Sequence, residues 1–593
     1  MRNFLSSMLG ALAALVIFAA GLFAFVLVLV IALGSIGEKP PAVEPGSYLV
    51  VDLSANFTDA PKEVDLGAFT GDDRQVVQLH AATRAIRAAA TDARIKGIFI
   101  TGTVAPAGLG SGYAAMNELR EALLDFKSAG KPMQAYLTGA MTRDYYLASV
   151  ADDIALDPYG VLVMPGLASE SMFFGDAFER FGIGVQLARA GRYKGAAEPF
   201  VRNSLSDENR EQLKQLLDDL WGSLTTEIAI SRKLEQLDIQ EIVDSEGLIM
   251  AEAAKQHGLV DRLAYRDVIF DELKAATGRA DSPLPFKQIS LRAYAGLTSS
   301  EGSGRNRIAV LYAEGDIVDG EGDWHQVGGD RFSRELRALR QDDSVKAIVL
   351  RVNSPGGSAS ASETIQREMR LAGEVKPVVV SMGSYAASGG YWISAYSRRI
   401  FAEPTTVTGS IGVFGLLFDV KQLASNWGVS FDGVKTGQFA DALSISRPKT
   451  EAEMKIVQRS IDWIYGEFVA KVAEARGLDV DFVHEIAQGH VWSGIEAKQL
   501  GLVDEMGGLK DAIAFAAEEA GLGRDYRVTE FPRPKNLAEV IAETMHRLNP
   551  SAALRGGATK ELVDKIEAQL RALDAYNDPQ GAYARLPYNL EVN

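Results

Sequence analysis

The segment SMGSYAASGGYWISAYS, Ser381 to Ser397, follows the apolar run KPVVV and carries five small residues in a row, Ala386 to Gly390. One hydroxyl, Ser388, stands in their middle. Small residues where a buried strand turns into a helix have two readings: two backbones packed very closely, or a backbone that a substrate must approach. A second such corner is NSPGGS (353–358), again at the end of an apolar strand. Pro355 presets a turn dihedral, and Gly356 and Gly357 leave the backbone open to close approach. The chemistry that joins the two corners is acyl transfer. The N–H of Gly389, directly after Ser388, and those of the Gly356/Gly357 loop can hold a developing oxyanion. Losing one such donor costs about 10²–10³ in rate. PGG alone is a common turn; paired with AASGG it is specific.

A serine hydroxyl is a weak nucleophile until a base takes its proton. No histidine lies near these segments; within the repeated blocks described below only His257 occurs, beside GLVD. A lysine can be that base if burial brings its pKa to roughly 7–8. Lys194, in RAGRYKGAAEPF (189–200) among small and aromatic neighbours, is the candidate.

The chain is written twice, and the repeat is what singles Lys194 out. ARIKGIFITGTVAPAG (93–108) parallels DSVKAIVLRVNSPGG (343–357), and AKQHGLVDRL (254–263) parallels AKQLGLVDEM (497–506). Between ALDPYG and FAEPTT the offset is that of Pro158 and Pro404 (404 − 158 = 246), which sets Thr142 opposite Ser388 and Arg143 and Asp144 opposite Gly389 and Gly390. RAGRYKGA aligned with KTGQFADA sets Lys194 opposite Ala440. One half keeps a serine, the other a lysine, and neither keeps both. A composite site is the economical account. The loss of the small-residue corner from the first copy favours substrate access over packing, although drift after duplication would leave the same difference.

Each copy alternates short β-branched runs (IAVLYAEG, KAIVLRV, KPVVVSM) with helical stretches. In LSDENREQLKQLLDDLWGSL the residues Leu213, Leu216, Leu217, Leu220, Trp221 and Leu224 fall on one helical face, and Ser206 is placed to cap it. Near-continuous apolar strands separated by helices predict an α/β fold with buried, mostly parallel strands. The Gly/Ser-rich stretch GLTSSEGSGRNR (296–307) reads as the linker between copies, and the tail after about Phe531 has no counterpart in the first copy.

The 593 residues exceed what one core supports, and the charge of −17 is spread without a long basic run, which argues against nucleic-acid binding. There is no cysteine, and the six histidines lack metal-ligand spacing, so neither a metal nor another cofactor is expected. From Asn3 to Gly37 there is no charge, and Met8–Leu33 is almost wholly apolar. That length spans a bilayer, where a cleaved leader would have an apolar region of only ~7–15 residues. An uncleaved anchor is expected. Arg2 before it and the acidic segment after it put the amino terminus in the cytoplasm and the bulk of the chain across the membrane.

RYKGAAEPF, NSPGG, AASGGYWIS and TGSIGV, with the anchor and the two copies, cover nearly the whole chain and together resemble the long, two-copy signal peptide peptidase A (protease IV) family of bacterial inner membranes. The resemblance implies Ser388 as nucleophile, Lys194 as general base, and Ser410 of GSIGV as the residue that orients the lysine. It further implies tandem Clp/crotonase-like spiral domains, a homotetramer with an interior chamber, and remnant signal peptides as substrate. The resulting division is an anchor (1–37), a lysine-supplying copy (38–296), a linker (297–307), a serine-supplying copy (308–531) and a carboxy-terminal tail (532–593). Two other readings compete: a crotonase-like acyl-CoA enzyme, which also uses Gly-rich oxyanion loops, and a non-catalytic membrane scaffold.

Overall fold

The computed structural model describes residues 42–61, 76–298, 302, 304–323, 325–532 and 576–586. The expected anchor (1–37), part of the linker and most of the tail lie outside these residues. Among the described residues no helix is long and apolar enough to cross a membrane.

The two copies share one strand order. In the first, six parallel strands run Arg262–Leu263, Asp153–Leu156, Met133–Leu137, Ile95–Thr101, Ser47–Asp52 and Gln288–Ser290 across the sheet. In the second, Glu505–Met506, Arg399–Ala402, Val378–Ala387, Val345–Ser354, Asn306–Glu314 and Tyr526–Phe531 follow in the same order, again all parallel. The side branch is repeated too. Ala140–Met141, Val161–Val163 and Leu248–Met250 in the first copy correspond to the end of Val378–Ala387, Val407–Gly409 and Val491–Ser493 in the second. The central strands are buried on both faces, as their unbroken apolar runs require: Ile348, Val349, Leu350 and Val352 have no exposed surface.

Helix Asp207–Arg232 starts where the sequence predicts, with the Asn209 N–H donating to Ser206 Oγ at 3.3 Å. Its inner face is narrower than the periodicity suggests. Leu213, Leu216, Leu220 and Leu224 are buried, whereas Leu217 and Trp221 are only half-buried. This helix also reaches the other copy. Gln212 Oε1 accepts from the Val491 N–H at 3.1 Å, and Ser493 Oγ donates to Asp219 at 2.6 Å. The second copy's long helix Glu451–Arg476 returns the contact through Gln458, which donates to the Arg189 carbonyl at 3.0 Å.

Two further features lock the copies together. Strand Gly184–Ala190 of the first pairs antiparallel with Val413–Asp419 of the second over its full length. Arg351 of the second copy, almost wholly buried, is held between Asp59 (2.7 Å) and Glu118 (2.5 Å) of the first. A charge taken out of water this completely stays charged only because both carboxylates and the Ser381 hydroxyl bond to it. The halves are docked, not strung on a loose linker.

Candidate active site

Ser388 stands between the end of strand Val378–Ala387 and helix Gly389–Ser394. Its φ of 57° is left-handed, rare for a residue with a side chain and costing roughly 1–3 kcal/mol unless the surroundings enforce it. They do: the Ser388 N–H donates to the Gly409 carbonyl at 2.8 Å, and the Trp392 N–H donates to the Ser388 carbonyl at 2.8 Å. The sharp turn throws the hydroxyl out of the strand line and leaves the Gly389 N–H facing the Gly356 loop. A Cβ on Gly356 would stand 2.7 Å from that nitrogen.

Close backbone packing is one reason for the small-residue corner. A Cβ on Gly390 would meet the Ser354 carbonyl at 2.8 Å, and one on Gly389 the Ser362 hydroxyl at 2.7 Å, so close packing alone requires glycines there. Gly356 (φ 94°) and Gly357 lie in the short strand Gly356–Ser358, and a Cβ on Gly357 would collide with the Ile317 carbonyl at 1.9 Å. Gly389 and Gly356 meet beside Ser388, and Gly357 follows in the same loop, packed on Ile317.

Lys194 reaches the same place from the other copy. Strand Gly184–Ala190, paired to Val413–Asp419, delivers the turn that carries it. Its Nζ lies 2.6 Å from Ser388 Oγ, 2.9 Å from the Ser410 carbonyl oxygen and 3.0 Å from Ser410 Oγ. Lys194, Ser388 and Ser410 are all fully buried. Burial alone pushes the lysine pKa well below its usual value, and among the described residues no carboxylate touches the amine to pull it back. A neutral amine has two N–H donors and one lone pair. The carbonyl and hydroxyl of Ser410 take the donors, which leaves the lone pair for the proton of Ser388. Proton transfer operates at heavy-atom separations of ~2.6–3.2 Å. Of the aligned positions that carry no such chemistry, Thr142 is buried and Ala440 exposed.

Two parts of the site escaped the sequence. His490 packs edge-on against Tyr193 at 4.5 Å between ring centroids and stacks on Trp492, while its carbonyl accepts from the Ser410 N–H at 2.6 Å. Burial holds its imidazole down at about 4, so it is a neutral buttress behind the lysine. The other is the tail: strand Tyr583–Arg585 lies antiparallel to Gly356–Ser358 and touches Val413–Asp419 at Phe414. Among the described residues no cluster of His, Asp or Glu could hold a metal ion.

The chain matches peptidase family S49 over residues 125–279 and 370–523, and the Clp protease family over 305–406. It is 35% identical to protease 4 of Salmonella typhi, covering 90% of this chain and 89% of that one. With protease 4 of Haemophilus influenzae it shares 32%, over 95% and 94% of the two chains. With the chloroplastic serine protease SPPA of Arabidopsis thaliana it shares 33%, over 77% and 68%.

Proposed function

Because the chain belongs to peptidase family S49, as a two-copy serine protease with a Clp-protease-like α/β fold, we propose that Ser388 is its nucleophile and Lys194 its general base. The 2.6 Å approach of a fully buried, carboxylate-free lysine to a strained serine carries this reading. Ser388 Oγ attacks the peptide carbonyl while its proton passes to Lys194 Nζ, and the same proton then leaves with the departing amine. Gly389, Gly356 and Gly357 hold the oxyanion, and Ser410 points the lysine. Water repeats the cycle on the acyl-enzyme. Family membership sets aside the acyl-CoA and scaffold readings.

The substrates we propose are cleaved signal peptides, with Met8–Leu33 anchoring the enzyme in the inner membrane of a bacterium and the catalytic portion on the periplasmic side. The division into a lysine-supplying copy, 38–296, and a serine-supplying copy, 308–531, belongs to the same proposal. So does a homotetramer. Gly184–Ala190 pairs with Val413–Asp419 inside the chain, and the repeat offset maps these segments to 430–436 and 167–173. The first of those exposes half of Phe431 and all of Val434. A second copy of the chain offering 167–173 there would repeat the internal junction head to tail, the kind of contact that closes rings.

Peptide hydrolysis by the full chain, against its Ser388→Ala variant, tests the dyad. Activity should vanish with the hydroxyl; a variant that still cuts would remove Ser388 from the mechanism.

A further inference from the structure

Gln212, wholly buried on helix Asp207–Arg232, joins the lysine-bearing turn of one copy to the backbone behind Ser410 in the other. Its Nε2 donates to the Tyr193 carbonyl, directly before Lys194, at 2.9 Å, and its Oε1 accepts from the Val491 N–H at 3.1 Å. The Tyr193 N–H donates to the Gln488 carbonyl at 2.9 Å, and the His490 carbonyl accepts from the Ser410 N–H at 2.6 Å. Lys194 Nζ bonds both oxygens of Ser410, so the circuit closes on itself: lysine turn, Gln212 amide, segment 488–491, Ser410, lysine amine. It has little slack. A Cβ on Gly489 would stand 2.7 Å from the Lys194 Cβ, and Ser410 and Gln488 are both held at a left-handed φ of 50°, which the surroundings must enforce. The second donor of Nε2 goes to Asn209 Oδ1, which fixes the amide's orientation: reversed, its nitrogen would face the Val491 N–H and its oxygen two acceptors. The copies diverge here as they do at the dyad. Thr450 caps helix Glu451–Arg476 as Ser206 caps Asp207–Arg232 (450 − 206 = 244), and the same offset sets Ile456 opposite Gln212 (456 − 212 = 244). Ile456 is exposed and has no side-chain donor or acceptor. The copy without the lysine also lacks the amide that would hold one.

We propose that Gln212 is a positioning residue for the Ser388/Lys194 reaction, setting the lysine amine against the serine by clamping the turn of the first copy to the 488–491 segment of the second; the proposal rests on the Ser388/Lys194 reading. The amine reaches its partner across the junction between copies, so its aim depends on how closely those two backbones are held. A misplacement of about 1 Å by a residue far from the reacting atoms can cost about 100-fold in rate. The ionisable side chains packed around the turn include His490, neutral through burial, and Arg192 over the Tyr193 ring. They also include Glu211 at the Tyr193 hydroxyl (3.5 Å) and Glu198, which accepts from the Ser206 N–H. None of these four bonds to Gln212, and the amide itself does not titrate.

Hydrolysis of a fluorogenic peptide across pH by the full-length wild type, Gln212→Met, Gln212→Glu and Lys194→Ala, with Tm measured on each, tests this. Gln212→Met keeps the volume and bonds neither partner. Its kcat should fall by about 10- to 100-fold with KM little changed and the pH profile displaced. Gln212→Glu can donate to the Tyr193 carbonyl and accept from the Val491 N–H only while protonated. Its kcat should therefore rise with pH as the lysine loses its proton and fall again as the carboxyl ionises, where the wild type levels off. A Gln212→Met chain with wild-type kcat overturns the proposal. So does a loss that merely follows Tm with the shape of the pH profile unchanged, because the amide is then only part of the packing. If Gln212→Met does not fold, the presence or absence of the falling limb in Gln212→Glu decides alone. A Lys194→Ala chain that still cuts the peptide removes the dyad, and the proposal falls with it; an inactive Lys194→Ala beside wild-type profiles for both Gln212 variants removes the proposal alone.

Discussion

Lys194 Nζ and Ser388 Oγ lie 2.6 Å apart although 194 residues of chain separate them and each stands in a different copy of the repeat. A same-chain pair makes a sharp demand on mixed assemblies. Oligomers formed from Ser388→Ala and Lys194→Ala chains together should be as inactive as either parent, because no chain then holds both groups. Recovery of activity on mixing, read by peptide hydrolysis, would mean that sites are shared between chains.

The lysine must be neutral to act, and burial depresses its pKa. kcat/KM should therefore rise with pH through that depressed value and level off above it. Lys194→Arg should be as inactive as Lys194→Ala, since a guanidinium keeps its proton. Stability carries the same signature with its own sign. The unfolded chain protonates Lys194 up to a pKa of about 10.4, whereas the folded chain releases that proton earlier. The wild type thus gains stability as pH climbs from the folded to the unfolded value. Lys194→Met, which lacks this term, should be the more stable protein at neutral pH, and its advantage in Tm should shrink as pH approaches 10. A constant difference would remove the buried neutral amine.

Ser410 supplies two of the three contacts that fix the amine, but only its hydroxyl can be deleted. Ser410→Ala leaves one N–H of the lysine without a partner in a dry site, a cost of about 1–3 kcal/mol. The expected loss in kcat is of the order of 10- to 100-fold, with KM little changed and the pH profile displaced. Ser410→Thr should restore part of the rate. An unaltered pH profile would reduce Ser410 to a packing residue.

The duplication, the strand–helix alternation and the pair that the fold brings together, Ser388 and Lys194, were legible in the sequence, the last because the copies diverge at Thr142 and Ala440. Strand pairing between copies was not. Gly184–Ala190 reads as an ordinary short strand, and nothing in its own residues says that its partner is Val413–Asp419. The tail strand was hidden for a different reason: three residues, Tyr583–Arg585, are too few to show a period. The acids that hold Arg351 were equally silent, since Asp59 and Glu118 are about 290 and 230 positions away. Only the folded chain brings those groups within reach.

Arg351→Met tests how much of the docking rests on that ion triad. It leaves Asp59 and Glu118 buried without their counter-charge, an arrangement that costs about 3–5 kcal/mol when one partner is removed. Tm should fall by several degrees and activity should fall with it, although Arg351 touches neither Ser388 nor Lys194. The double change Arg351→Met with Glu118→Gln should recover part of the loss. A single variant with wild-type Tm would show that the strand pairing alone holds the halves.

Phe431 and Val434 test the head-to-tail contact. Phe431→Asp should lower the mass measured by light scattering while leaving the fold intact. An unchanged mass would place the interface elsewhere.

The fusion of two half-sites into one polypeptide also changes what concentration can do to the enzyme. Two separate halves would find each other at a rate set by how many are present, and dilution would silence them. Tied together, each sees its complement at an effective concentration of the order of millimolar, whatever the abundance of the protein. Even at low abundance, the enzyme can then keep the proposed dyad assembled, and the positions of Thr142 and Ala440, which carry no part of it, are free to change without cost to catalysis.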